Sequence, residues 1–326
     1  CTGYKSIKVA AKNIYKNKTI NNNNKKNLDI IKKISQKDIH INLKKNNFYI
    51  HYGLKELLQT IKKVEKPIFV TGGTDIALEV TKRQKDLYNI FYLGLNKDLN
   101  FIKIKKNKLH IGAATPINKI LPYLEKIYPS FAKMFHRYGS EQIRNVASIG
   151  GNIASASPIG DSLPVLIALD SKIIIEGKNK REILLKDFFK DYKKTLLKDN
   201  EIIKEIIIPI KKEYFLKCYK ISKRIEDDIS SVFMAISGSI KNNLFKQIKI
   251  VCGGMAATPS MAIKTQKFLL NKEFNQENIN NAKKIILIDF KPLSDMRASS
   301  EYRSLITQNL LERFYLEKNE KKWSLD

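Results

Sequence analysis

Two features that would place this chain of 326 residues in a well-defined class are missing from it. No run of apolar residues approaches the length of a membrane span, so a membrane protein is not expected. Only three cysteines are present, too few for a disulfide framework. A reducing cytoplasm is therefore the expected location.

Acidic residues are also scarce, with 32 Asp and Glu against 60 Lys and Arg, which gives a net charge of +28. Such an excess ordinarily points to nucleic acid as a partner. Here, however, the basic residues are lysines scattered among Asn and Ile, as in Asn21-Asn22-Asn23-Asn24-Lys25-Lys26. We interpret the charge as a solvated surface, and a basic nucleic-acid-binding protein stays as an alternative of a different class.

One stretch, from Gly139 to Leu169, contains no lysine at all and is dominated by small residues. Small residues let the backbone approach a ligand closely and turn its N–H groups outward, as a bound diphosphate requires. A tightly packed, turn-rich core segment is the alternative interpretation. The persistence of small polar residues over two dozen positions favours a ligand-binding surface.

A second glycine site follows the short apolar strand Ile68–Val70 and reads Thr71-Gly72-Gly73-Thr74-Asp75. It matches neither the Gly-x-Gly-x-x-Gly of a dinucleotide fold nor a P-loop. Alone it is more often only a turn. Together with the lysine-free stretch, it predicts two loops that hold one extended nucleotide.

These residues carry a family resemblance that covers nearly the whole chain. The segments are 71–75, Gln142-Ile143-Arg144-Asn145, Ala147-Ser148-Ile149-Gly150-Gly151-Asn152 and Ala156-Ser157-Pro158-Ile159-Gly160-Asp161. They resemble the FAD-binding subunits and domains of the molybdenum hydroxylases, and most closely the small subunits of bacterial xanthine dehydrogenases. Later segments, around Lys220 to Ser230 and Pro292 to Arg303, resemble the same family.

The resemblance implies an α+β fold in two parts. A two-subdomain FAD-binding fold of the vanillyl-alcohol-oxidase (PCMH) type is expected over residues 47–213. A domain of the CO dehydrogenase flavoprotein C-terminal type is expected over 214–326, where strands followed by helices independently predict an antiparallel sheet with helices on one side. Residues 1–15 are expected to be a remnant of an iron–sulfur domain, and residues 16–46 a linker with one helix around Leu28 to Ile34.

The resemblance also assigns site residues. The cofactor-binding residues that it implies are Phe69, Val70, Thr71, Gly72, Gly73, Thr74, Asp75, Ile76, Tyr138, Ser148, Ile149, Gly150, Gly151, Asn152, Asp161, Ile203 and Lys220. Tyr138 has a second interpretation, as core, because it continues an aromatic stripe, and Ile203 has one as plain strand core. Arg224 and Asp228 are expected on the nicotinamide side, and no catalytic acid or base is required.

Cys1 resembles the final [2Fe-2S] ligand of the family's iron–sulfur domain. Such a cluster needs four ligands, and the other cysteines, Cys218 and Cys252, are far away in sequence. The cluster is therefore expected only if another polypeptide supplies it, as for a fragment, half of a split gene or a relic. A lipidated cysteine and a chance tetrapeptide are the other interpretations.

The implied function is that of an FAD-dependent oxidoreductase subunit that passes electrons from [2Fe-2S] clusters through FAD to NAD. Its expected partners are a molybdopterin-binding large subunit and an iron–sulfur domain or subunit, in a hetero-oligomer. Purine oxidation is the expected overall reaction; a flavin subunit for an aldehyde or N-heterocycle is the alternative, since the substrate pocket lies on another chain.

Two helix starts are predicted from local signals alone. Thr115-Pro116 predicts a helix with Thr115 as its cap and Pro116 at the first helical position. Ser130 is predicted to cap the next helix.

Overall fold

The chain is described from a computed structural model that covers residues 4–14, 24–34 and 37–319. It divides into two units, one up to Asp38 and one from Ile39. The first unit contains the helices α1 (Tyr4–Ile14) and α2 (Asn24–Ile34). Helix α2 includes the helix predicted around Leu28 to Ile34. Cys1, the predicted remnant cluster ligand, lies outside the described residues.

The second unit opens with a four-stranded sheet in the order β1-β2-β4-β3. Its strands are β1 (Ile39–Leu43), β2 (Asn46–Ile50), β3 (Ile68–Val70) and β4 (Asn89–Tyr92), and its helices are α3 (Leu54–Ile61) and α4 (Ala77–Thr81). The pair β1 and β2 is antiparallel, whereas β4 runs parallel to both of its neighbours. Helix α3 buries Leu57 and Ile61 against Phe91, and these residues form a small core.

Residues 39–46 form β1 and the start of β2, which corrects the prediction of a linker there. The strand β1 is an edge strand whose residues are mostly exposed. Its sequence, Ile-His-Ile-Asn-Leu, does alternate apolar and polar residues as a strand does, but Ile41 and Leu43 are 45% and 67% exposed, so the core does not cover its apolar side.

A five-stranded antiparallel sheet follows, in the order β5-β6-β11-β7-β8. Its strands are β5 (Ile102–Lys105), β6 (Lys108–Gly112), β7 (Lys172–Glu176), β8 (Arg181–Leu184) and β11 (Ile202–Pro209), with a small ribbon of β9 (Phe189–Asp191) and β10 (Lys194–Thr195). Between β6 and β7 run α5 (Ile117–Ile127), α6 (Pro129–His136), α7 (Glu141–Val146), α8 (Ile149–Ala154) and α9 (Ser162–Ala168). Helices α5, α6, α8 and α9 bury their apolar faces in the largest core of the second unit, whereas α7 buries none of its residues.

Both predicted helix caps are wrong. Helix α5 begins at Ile117 with Pro116 as its N-cap, and the Thr115 hydroxyl donates instead to the Phe101 carbonyl, 3.1 Å away. Ser130 lies inside α6, and its Oγ accepts from the backbone N–H of Cys218 at 2.9 Å. In each case a tertiary partner satisfies the hydroxyl that local rules assign to a cap.

The remaining strands form a four-stranded antiparallel sheet in the order β12-β13-β14-β15, followed by three helices. They are β12 (Phe215–Ile221), β13 (Val232–Lys241), β14 (Leu244–Gly253), β15 (Ser260–Met261), α10 (Ile263–Leu269), α11 (Gln276–Asp289) and α12 (Ser300–Asn319). On β13, Met234 and Ile236 face the core shared with α11 and α12. Phe233 and Ala235 face the opposite way, into the core of the preceding sheet and helices.

Strand β13 is therefore buried on both faces. Helices are predicted on one side of this sheet, and α11 and α12 pack there. The other side is also covered, because α9 packs against it. The Ser237 hydroxyl donates to the Ala168 carbonyl across that contact, at 2.6 Å. The two parts of the second unit thus share the largest apolar core, to which Phe233, Ala235 and Val251 contribute from the C-terminal sheet.

Candidate functional site

The first glycine loop leaves β3 at Val70 and turns at Gly73, whose φ of +70° lies in the left-handed region. A Cβ on Gly72 would stand 2.2 Å from the carbonyl oxygen of Val146, so no larger residue fits there. Within the part of the chain that the structure describes, no hydrogen bond has the backbone N–H of Gly72, Gly73, Thr74 or Asp75 as its donor. This loop therefore offers consecutive N–H groups to a ligand, as anion-binding turns do.

The second glycine segment starts α8, where Ser148 is the N-cap and its Oγ accepts from the N–H of Gly151 at 3.1 Å. The same oxygen lies 2.8 Å from Thr71 Oγ1, and this hydrogen bond joins the two loops. A Cβ on Gly151 would lie 3.0 Å from Ser148 Oγ and 3.3 Å from Thr71 Oγ1. Glycine at 151 thus keeps open the gap between the two loops.

Gly150 and Ile149 serve packing. A Cβ on Gly150 would stand 2.5 Å from the Ala113 carbonyl oxygen, and the Gly150 N–H donates to that same carbonyl. Ile149 is fully buried in the core beneath α8. These two residues pack α8 against the end of β6, and this packing fixes the position of the second glycine segment.

A small cavity of about 80 Å³ opens beside the joined loops. Thr71, Gly150 and Gly151 line its glycine-loop side. Its other walls are apolar and consist of Phe69, Leu93, Leu99, Ala113, Ala114, Ala154, Leu197, Ile202 and Ile203. Ile203 lies where the pairing of β11 with β7 shifts register, so this predicted site residue lines the cavity as well as packing in the strand core.

A polar network continues from α8 away from the glycines. Asn152 Nδ2 donates to the Tyr138 hydroxyl at 3.1 Å, and the Ser162 hydroxyl donates to Asn152 Oδ1 at 2.5 Å. Tyr138 also packs edge-on against Phe135, with 5.8 Å between the ring centroids. Its ring thus packs against the core, as one interpretation expects, while its hydroxyl belongs to the polar network. Burial, with the carboxylates of Asp161 and Asp75 nearby, raises the pKa of Tyr138 to about 12.

Asp161 and Lys220 form a buried ion pair. The Lys220 Nζ donates to Asp161 Oδ2 at 2.5 Å, and each side chain is 4% exposed. The Ser230 hydroxyl donates to the other carboxylate oxygen at 2.6 Å. The pair joins the start of α9 to β12, so it also ties the first part of the second unit to the C-terminal sheet.

Arg224 and Asp228 lie in the segment 222–229 that connects β12 to β13. Asp228 accepts hydrogen bonds from the backbone N–H groups of Arg224 and Ile229, at 2.8 and 2.9 Å, and these bonds lower its pKa. Over residues 37–319, no hydrogen bond or ion pair joins either residue to the glycine loops. The structure therefore places these two residues together in one turn, apart from the glycine loops.

The remaining predicted residues of the first loop lie at its edges. Val70 ends β3 and its carbonyl accepts from the N–H of Leu93. Thr74 and Asp75 are exposed at the mouth of the loop, and Ile76 precedes α4.

Arg137 is a residue of this region that the sequence did not reveal. Its guanidinium donates to the carbonyls of Ile225 and Lys220, at 3.0 and 3.1 Å, and to Ser222 Oγ at 3.3 Å. These acceptors lie 83 to 88 positions later in the chain. No local pattern signals such a contact.

Two features are absent from residues 4–14, 24–34 and 37–319. No group of three or more His, Cys, Asp or Glu side chains in these ranges is placed to hold a metal ion. No helix there combines the length and apolar character needed to cross a bilayer.

Two protein families match consecutive parts of the chain. Residues 44–211 match the FAD binding domain in molybdopterin dehydrogenase, and residues 217–318 match the CO dehydrogenase flavoprotein C-terminal domain. Together with the mixed helices and antiparallel sheets, these matches confirm the predicted α+β fold class and both fold types.

Curated relatives agree with that assignment. The glyceraldehyde dehydrogenase medium chain of Sulfolobus acidocaldarius is 30% identical over 270 residues, which cover 81% of this chain and 95% of the relative. The xanthine dehydrogenase/oxidase of Gallus gallus is 28% identical over 281 residues. The chain spans only 21% of the length of that relative.

Solved structures show the same fold. A carbon monoxide dehydrogenase from Hydrogenophaga pseudoflava superposes with a TM-score of 0.78 at 21% identity, over 84% of this chain and 96% of that one. Quinoline 2-oxidoreductase from Pseudomonas putida 86 gives a TM-score of 0.78 at 19% identity, over 85% of this chain and 98% of that one.

Proposed function

The chain belongs to the family of FAD-binding domains of the molybdopterin dehydrogenases, and from this premise we propose that it is the electron-transfer subunit of a molybdenum hydroxylase. In this role it passes electrons from [2Fe-2S] clusters to FAD and on to NAD. When bound, FAD supplies the exchange between single-electron and two-electron transfer.

The observation that carries the proposal is the joining of the two glycine loops. The hydrogen bond between Thr71 and Ser148 brings the free N–H groups of residues 72–75 beside the gap that Gly151 leaves open. N–H groups in such a turn bind phosphate oxygens, so the loops fit the diphosphate of FAD. The walls of the small cavity next to them are mostly apolar, which suits an apolar part of the same cofactor.

The remaining residues have roles in holding the cofactor. Tyr138 and Ile203 are proposed to line the flavin ring, with Lys220 beside it. Asp161 holds the Lys220 ammonium in place through the buried ion pair. Arg224 and Asp228 are proposed to border the nicotinamide, and the turn that Asp228 closes keeps them together.

For the overall reaction we propose oxidation of xanthine or hypoxanthine to urate, in purine catabolism, in a hetero-oligomer with a molybdopterin-binding large subunit and an iron–sulfur domain or subunit. The similarity to xanthine dehydrogenases supports this substrate. A flavin subunit for an aldehyde is the second candidate, and the 95% coverage of a glyceraldehyde dehydrogenase medium chain favours it.

The test is the visible spectrum of the purified chain before and after addition of FAD, followed by NADH without oxygen. We expect flavin bands that bleach with NADH. A folded protein that takes up no FAD contradicts the proposal. Retention on DNA with a steep salt dependence and without flavin absorbance favours the basic-binder alternative instead.

A charge at the mouth of the loop sharpens the test. Thr74 is exposed, so Thr74→Glu adds a negative charge beside the N–H groups without disturbing the core. We expect it to raise the dissociation constant of FAD roughly tenfold or more through repulsion of the diphosphate. Gln59→Glu adds the same charge at an exposed position of α3 and is the matched control. Equal FAD affinities of the two variants contradict the placement of the diphosphate.

A further inference from the structure

The segment 222–229 has few anchors of its own. It lies between the end of β12 at Ile221 and the start of β13 at Val232, outside any strand. Most of the segment is exposed, including Ile225 at 75%. Asp228 and Ser222 form hydrogen bonds with backbone groups inside the segment, which shape its turn. Lys223 Nζ donates to the Met296 carbonyl at 3.1 Å, which attaches the segment to the loop before α12 but not to residues 39–213.

Arg137 attaches this segment to the first part of the unit. Of the hydrogen bonds formed by residues 37–319, those from Arg137 are the ones that join residues 222–229 to residues 39–213. Three nitrogens of one planar guanidinium reach three separate acceptors, the Lys220 carbonyl, Ser222 Oγ and the Ile225 carbonyl. A lysine has a single ammonium and cannot bridge the same three points.

Lys220 itself does not depend on this attachment. It belongs to β12, pairs with Phe233 in the sheet, and its ammonium is buried against Asp161. Loss of the Arg137 contacts should therefore detach the 222–229 segment from residues 39–213, although Lys223 still bonds to Met296, and should leave the ion pair and the glycine loops in place.

We infer that Arg137 is a positioning residue that holds the 222–229 segment, with Arg224 and Asp228, and thereby sets the affinity for the nicotinamide rather than for FAD. This inference rests on the proposed function, because the nicotinamide side is assigned there. Arg137 acts through the segment and not on the reacting atoms.

The experiment compares Arg137→Lys and Arg137→Met with the wild-type full chain. Hydrogen exchange of residues 222–229 is measured first, without cofactor, and we expect faster exchange in both variants. FAD affinity is then measured by flavin fluorescence, and we expect it to change less than about threefold. The dissociation constant of NADH, from anaerobic reduction of bound FAD, should rise about tenfold, as the loss of a charged hydrogen bond implies.

Arg313→Lys is the matched control. Arg313 is also a partly buried arginine; it pairs with Glu317 on α12 and lies over the Tyr219 ring, and no hydrogen bond within residues 37–319 joins it to 222–229. Its variant should keep wild-type exchange in 222–229 and wild-type NADH affinity.

The inference is overturned if hydrogen exchange of residues 222–229 is unchanged in both Arg137 variants. It is also overturned if Arg137→Lys behaves as wild type, because a positive charge alone would then hold the segment. A wild-type protein that takes up no FAD overturns the proposed function, whereas the exchange measurement still decides whether Arg137 holds the segment. Bound flavin that ignores NADH in the wild type overturns the nicotinamide part of the inference.

Discussion

The buried pair of Asp161 and Lys220 gives the sharpest test of how the second unit is held together. Each side chain is 4% exposed, and they meet at 2.5 Å. Asp161→Asn keeps the shape of the side chain but leaves the Lys220 ammonium without a counter-charge. Breaking one side of a buried pair costs about 3–5 kcal/mol in the free energy of unfolding, because the remaining charge stays away from water.

Because the entropy of unfolding is about 2.1 cal/mol/K per residue, about 1 kcal/mol shifts the Tm of a chain of this size by only about 1.5 °C, so the variant should melt roughly 4–8 °C below wild type. Thermal unfolding followed by circular dichroism measures the shift. The double variant of Asp161→Asn with Lys220→Met removes both charges and should recover much of the loss. FAD affinity should fall in the single variant as well, since the pair adjoins Tyr138.

An exposed ion pair supplies the control. Lys172 and Glu182 meet at 2.6 Å, but their side chains are 42% and 48% exposed. Glu182→Gln should therefore change the free energy of unfolding by no more than about 1 kcal/mol, because water and salt screen such pairs. The reasoning is refuted if the two single variants melt within about 1 °C of each other, or if the double variant loses the sum of the two buried substitutions.

Two further substitutions test the glycine loop and the network beside it. Gly72→Ala places a methyl group 2.2 Å from the backbone oxygen of Val146 and should lower the free energy of unfolding in urea by more than about 2 kcal/mol. Gly73→Ala meets open space and should lower it by only about 1–2 kcal/mol, because of its φ of +70°. Equal losses in the two variants would contradict the clash at Gly72. The pKa of Tyr138 is raised to about 12 in the folded chain, so the stability that its neutral phenol contributes is complete below pH 10 and is lost as the pH rises toward 12. Tyr138→Phe should flatten the fall of the urea midpoint over this range, and a fall as steep as that of wild type would count against the burial of the phenol.

Much of the site was predictable because it depends on backbone freedom. Glycine at 72, 73, 150 and 151 permits close approach, and the structure shows a backbone contact or a left-handed φ at the first three. The continuous apolar run at the start of β13, which is buried on both faces, and the apolar face of α3 are likewise patterns visible in the sequence. Signals of this kind act within a few residues, so a sequence displays them directly.

Other features had no decisive local signal. The hydroxyls of Thr115 and Ser130 fit cap positions by every short-range rule, yet each bonds to a tertiary partner. The edge strand β1 does alternate apolar and polar residues, but it is short, mostly exposed and adjoins a Lys- and Asn-rich stretch, so only its pairing with β2 distinguishes it from a linker.

The sequence by itself determined that two glycine-rich loops exist and which residues can form them, because those properties belong to single residues and their neighbours. Only the tertiary structure decided that Thr71 meets Ser148 across 77 positions, that Asp161 is buried against Lys220 across 59, and that Arg137 reaches Ile225 across 88. The physical reason is that a hydrogen bond or ion pair depends on the distance between two atoms in space, and for residues so far apart in the chain the packing of sheets and helices sets that distance.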